Sequence, residues 1–161
     1  MFLWFAGVSL VFVWFVFQSP ALDYRLVMLG SILPLSEVIF GGPRVLHTLL
    51  FSVALLMVVM LATQNKRLLR RRWISLPIGV MLHLVLDGVW AQAEVFWWPF
   101  FGPTFSNSTI PEFDHGLMIT ITMELIGLAA LVWGYINFGL SDPVHRRTFL
   151  TTGHLPREPQ P

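Results

Sequence analysis

Residues 44–94 read RVLHTLLFSVALLMVVMLATQNKRLLRRRWISLPIGVMLHLVLDGVWAQAE, and the fold class follows from them. From Arg44 to Thr63 the chain is apolar apart from Arg44, His47, Thr48 and Ser52. That run is close to the ~20 residues that cross the hydrocarbon core of a bilayer. Lys66, Arg67, Arg70, Arg71 and Arg72 then crowd into seven residues, and a second apolar run from Trp73 to Glu94 follows, interrupted by His83 and Asp87. Two membrane-length runs joined by a short basic loop read as a helical hairpin whose loop stays on the cytoplasmic side.

Upstream, Met1 to Phe17 carries no charge and reads as a first span. A cleaved signal peptide is the competing reading, but no basic residue precedes the apolar stretch and its length exceeds a typical signal core. Gln18-Ser19-Pro20 breaks the pattern, and residues 21–40 form a second segment that Pro34 should kink or break. Gly41-Gly42-Pro43 is a turn. Downstream, Phe96 to Phe101 gathers aromatic rings suited to a membrane–water interface, which makes Trp97 and Trp98 interface anchors. Residues 95–116 are expected to be an outer loop, residues 117–140 a fifth span containing Glu124, and residues 141–161 a flexible cytoplasmic tail.

The sequence thus predicts an all-α, polytopic membrane protein with about five transmembrane helices, over residues 1–17, 21–40, 44–63, 73–94 and 117–140, in one bundle spanning residues 1–140. Composition agrees: 55% of the residues are hydrophobic and 12% charged, against about 25% charged in a soluble domain. Placing the basic loop 66–72 inside also places Arg146, Arg147 and the C-terminus inside and the N-terminus outside. The formal net charge of +1 gives no reason to propose a nucleic acid partner. With no cysteine, disulfides, thiolate metal sites and cysteine nucleophiles are excluded.

Ionisable groups inside spans cost ~2.5 to 3.5 kcal/mol each on insertion scales and mark candidate functional sites. Here they are Glu37, His47, His83, Asp87 and Glu124. At ~1.5 Å of rise per residue, His83 lies ~15 Å and Asp87 ~21 Å along the fourth span from the inside. His47 lies ~5 Å and Glu124 ~10 Å in from the outside, so with Glu37 all fall near one depth in the outer half. His83 and Asp87, at i and i+4, share a helix face, and imidazole and carboxylate are both zinc donors. His47 on a neighbouring helix supplies a third ligand for Zn²⁺ or a similar divalent ion. The same groups also suit interhelical pairs that fix packing, such as Arg44–Glu37 or His47–Glu124.

Leu29-Gly30-Ser31-Ile32-Leu33-Pro34, Arg44-Val45-Leu46-His47-Thr48-Leu49-Leu50 and His83-Leu84-Val85-Leu86-Asp87 resemble the Pro-Asp, R…HS/T and H-x-x-x-D motifs of the YdjM-like bacterial inner-membrane proteins, over about Asp23 to Phe101. The resemblance implies a membrane-bound, metal-dependent hydrolase of the bacterial cytoplasmic membrane, and carries metal-ligand roles onto His47, His83 and Asp87. Two positions depart from the pattern. Leu35 replaces the aspartate after Pro34, leaving Glu37 as the nearest carboxylate, and Pro43 stands where an earlier histidine is expected.

On this basis one expectation is a hydrolase of a lipid or phosphoester near the outer leaflet, with Glu37 or Glu124 as general base and Arg44 pairing with a phosphate or developing anion. The second is a non-catalytic membrane protein, or a small subunit of a larger membrane complex, with a degenerate metal site. An ion pathway is a third reading. It fits less well, because the polar groups gather in the outer half instead of lining a full crossing.

Overall fold

The computed structural model of the chain describes residues 1–40, 45–100, 102 and 116–155, and every regular element among them is helical. The uncharged N-terminal run forms α1 (Phe2–Phe17). Asp23 then caps α2 (Tyr24–Ile32), its carboxylate accepting from the backbone N–H groups of Arg25 and Leu26, which satisfies donors that a helix start leaves open. Pro34 breaks the second segment as expected: α2 ends at Ile32 and a 3-10 helix, Leu33–Phe40, takes over. The proline has no N–H to give, and its ring would collide with the carbonyl one turn back.

The two apolar runs on either side of the basic cluster are shorter as helices than as apolar stretches. A 3-10 turn, Val45–His47, precedes α3 (Leu49–Ala62), and Thr48 caps α3 by accepting from the Phe51 N–H at 3.1 Å. The basic residues start a helix of their own, α4 (Arg67–Trp73), which bends at Ile74 into α5 (Ser75–Leu86). Pro77 accounts for the bend, because the residue one turn before it is Trp73, the last of α4. The expected span 73–94 is therefore not one helix. Asp87 ends α5, Gly88 turns the chain at φ +72°, and a 3-10 turn (Val89–Ala91) and a short α6 (Ala93–Phe96) complete the stretch.

Helix α7 (Leu117–Asn137) matches the fifth span and, among the described residues, is the one helix long and apolar enough by itself to cross a membrane. The 16-residue α1 and the 14-residue α3 are apolar but shorter, ~24 and ~21 Å against a ~30 Å core. Close helix crossings rest on glycine. A Cβ on Gly79 of α5 would stand 2.2 Å from the Val27 carbonyl of α2, and one on Gly127 of α7 2.2 Å from the backbone of Leu3. Such small-residue contacts let backbones approach where lipid gives helices no hydrophobic reason to associate.

Residues 143–155, within the stretch expected as a flexible tail, pack against the bundle. Pro143–Thr152 form α8, capped by Asp142, with Gly153 closing it at φ +75°. The Arg25 guanidinium donates to the carbonyls of Leu150 and Thr151, a cation placed at a helix C-terminus. The Tyr24 N–H donates to the Gly153 carbonyl at 2.9 Å, and Leu155 is buried in a core with Leu10, Val13, Trp14, Tyr24, Val27 and Phe138. Fully buried Asp23 joins these elements: Arg25 and Arg72 bind its carboxylate at 2.9 and 3.1 Å, and its N–H donates to Ser75 Oγ. The basic helix α4 and the end of α8 therefore meet at the same end of the bundle. Residues 156–161 lie outside the described residues.

Candidate metal centre

The centre forms where three helical runs break, at the far end of α3 from the basic cluster. His47 closes the 3-10 turn before α3, His83 sits in the last turn of α5, and Asp87 ends it. All three are buried, and one donor atom from each lies within 4.8 Å of the others. This brings together the two histidines and the aspartate that the sequence singled out as ligands.

Each imidazole is held by its Nδ1. His83 Nδ1 is 2.7 Å from the Ser31 carbonyl, which can only accept, so that nitrogen carries the proton and Nε2 is left with a lone pair. Ser31 is available because of Pro34. In the 3-10 register that begins there, the donor to the Ser31 carbonyl would be residue 34, which has no N–H. Phe5 of α1 packs its ring on His83 with centroids 4.1 Å apart, which fixes the imidazole from the other side. His47 Nδ1 lies 2.8 Å from Glu37 Oε2, while Glu37 Oε1 accepts from the Leu46 N–H at 2.8 Å. The two Nε2 atoms face each other at 3.4 Å.

Two nitrogen lone pairs at that distance repel unless a proton or a metal ion lies between them. Zinc bound tetrahedrally at ~2.0 to 2.1 Å holds two nitrogens ~3.3 to 3.4 Å apart, so the observed separation fits two corners of such a site. An Asp87 carboxylate oxygen lies within 4.8 Å of both imidazole donor atoms, and the carboxylates of Asp87 and Glu37 around the imidazoles bring negative charge that a divalent ion would offset. An imidazole whose distal nitrogen bonds a carboxylate or carbonyl is the usual form of a histidine ligand, because that contact fixes tautomer and orientation.

A model of the YdjM inner membrane protein family matches residues 5–145. The chain belongs to that family. No curated protein and no solved structure matches it. In this YdjM-family chain the stretch matched contains all three proposed ligands and Glu37, and it reaches past α7 into α8.

The remaining candidates stand differently. Glu37 is 7% exposed and both its oxygens are engaged, one by His47 and one by the Leu46 N–H. In this position it orients His47. Glu124 is not part of the group: its carboxylate accepts from the Leu3 and Trp4 N–H groups at 2.8 and 3.3 Å and lies 3.3 Å from the Met1 amino group, so it caps the start of α1. Arg44 lies outside the described residues. Sequence reading missed the Ser31 carbonyl and Phe5. Pro34 three residues after Ser31 was the available signal for the first, and nothing local announces the second.

Proposed function

We propose that this protein is a metal-dependent hydrolase embedded in the bacterial inner membrane, acting on a lipid or a phosphoester. The observation that carries the reading is the pair of buried imidazoles, each anchored through Nδ1, with Nε2 atoms 3.4 Å apart and the Asp87 carboxylate beside them. His47, His83 and Asp87 are the residues that would hold the ion. Bound there, a divalent ion supplies Lewis acidity and brings the pKa of coordinated water to about 7. Glu37 and the Ser31 carbonyl hold the imidazoles in the ligating tautomer. Arg44, three residues before His47 in sequence, pairs with an anionic group of the substrate.

The membrane arrangement belongs to the same proposal: five segments cross, α7 unaided and the others as shorter or bent helices, with the basic α4 and α8 inside. With the basic end inside, the ~21 Å of α3 between that end and His47 supports a site toward the outer leaflet. Elemental analysis of the detergent-purified protein beside its His47→Ala/Asp87→Ala variant tests the reading. It expects about one zinc or manganese per chain, lost in the variant, and phosphodiesterase or esterase turnover abolished by chelator. Absence of metal from both proteins overturns it and leaves the packing-pair or complex-subunit reading.

A further inference from the structure

Among the described residues, Arg72 is the one basic residue of α4 with an ion-pair partner, and that partner is fully buried. Its Nε donates to Asp23 Oδ2 at 3.1 Å, in the junction where Asp23 also binds Arg25 and donates its N–H to Ser75 Oγ. Half of the Arg72 side chain stays exposed, and among the described residues its two terminal nitrogens make no hydrogen bond. Arg25 differs, because it commits its donors to Asp23 and to the carbonyls of Leu150 and Thr151. Arg72 is thus held through one nitrogen by a buried carboxylate and keeps the others free. A guanidinium fixed in this way has already lost much of its rotamer freedom, and its planar fork of donors suits a phosphate.

The rest of α4 decides where that phosphate comes from. Arg67, Arg70 and Arg71 stand at i, i+3 and i+4 and share a helical face. Among these arginines Leu68 is 83% exposed and Trp73 41%. The helix is tied at both ends to runs of the bundle: residues 63–66 alone separate it from α3, and it bends at Ile74 directly into α5. In a protein of an inner-membrane family, that connection holds α4 at the membrane surface. There, exposed leucine and indole reach the acyl boundary while guanidinium groups stay at the level of the phosphates. An acidic protein would answer the arginines but leave Leu68 uncovered. We propose that α4 binds the phosphate of an anionic phospholipid of the inner leaflet, gripped by Arg72 on its Asp23 anchor and flanked by the Arg67–Arg70–Arg71 face. This rests on the membrane arrangement proposed above, with α4 inside, and is independent of the hydrolase chemistry.

Native mass spectrometry of the full chain, released from detergent micelles carrying equal amounts of phosphatidylglycerol and phosphatidylcholine, reads the preference. The chain is expected to retain phosphatidylglycerol, and Arg72→Gln to lower that retention about tenfold. Arg146→Gln removes the same charge from an exposed position of α8 and should change retention by less than about twofold. Arg72→Lys keeps the charge but not the fork, and should recover little of the loss. Thermal unfolding in detergent checks that each variant folds; should Arg72→Gln unfold, Arg71→Gln, which leaves the Asp23 junction intact, is expected to lower retention in its place. Equal retention of both lipids, or equal losses in Arg72→Gln and Arg146→Gln, overturns the site. Displacement of the lipid by millimolar inorganic phosphate would assign the fork to free phosphate, and a bound acidic protein that phosphatidylglycerol fails to displace would assign it to a protein; either overturns the proposal. Retained phosphatidylglycerol together with labelling of Asn65→Cys from outside would overturn the membrane arrangement and the inner-leaflet assignment, but not the binding of the lipid.

Discussion

Glu37 shows how one side chain's role depends on what lies across from it. A buried carboxylate beside a histidine suits either a base or an orienting partner, and its two engaged oxygens favour the second. Glu37→Gln keeps an acceptor for the Leu46 N–H but loses the negative charge on His47. Outer-shell losses of this kind weaken metal binding ~10- to 100-fold, and competition against a chelating dye would read that change; unaltered affinity would remove Glu37 from the site. Glu124 predicts the opposite pattern. Its charge stabilises the positive start of α1 and accepts backbone donors there. Glu124→Gln should leave metal content unchanged while costing about 1 kcal/mol of stability, seen as earlier thermal unfolding in detergent. At this scale the ligands were legible because H-x-x-x-D spacing is local, whereas the anchors of both imidazoles come from residues ten and 52 positions away.

At the scale of elements, prolines and glycines set where helices stop, and the stops make the site. Pro34 ends α2, Pro77 bends α4 into α5, and Gly88 releases the chain after Asp87. Irregular backbone of this kind is tolerated at membrane depth when it is buried in protein or lines a cavity. The docking of α8 gives a sharp test. Gly153 sits at φ +75°, and a Cβ there would stand within 1.7 Å of the Asp23 carboxylate. A left-handed non-glycine residue alone costs ~1 to 2 kcal/mol, and the collision adds to it. Gly153→Ala should therefore free α8, with trypsin cutting faster at Arg146 and Arg147; an unchanged cleavage rate would mean that α8 does not depend on this contact. The helix itself is foreshadowed by Asp142-Pro143, an N-cap followed by proline at the first helical position. Its attachment is not, because Arg25 lies more than 120 residues away.

For the whole molecule, charge and apolarity decide orientation. The exposed basic residues of α4 and the Arg146–Arg147 pair belong to elements joined through Asp23 and Arg25, so both should face the side that retains positive charge. The absence of cysteine makes this directly measurable. In spheroplasts, Asn65→Cys and Ser141→Cys should resist a membrane-impermeant maleimide, while Ser106→Cys in the expected outer loop should react. Labelling of Asn65→Cys from outside would reverse the topology and move the metal centre to the inner half.

The sequence by itself determined the helical class, the membrane as solvent and which two histidines and aspartate to look for together, since apolar run length, charge clusters and i,i+4 spacing are local properties. Helix lengths, the burial of Leu155, the capture of α1 by Glu124 and the orientation of each imidazole were decided only by the tertiary structure. Each depends on which backbone carbonyl, carboxylate or ring arrives from a distant part of the chain, and apolar periodicity carries no record of that.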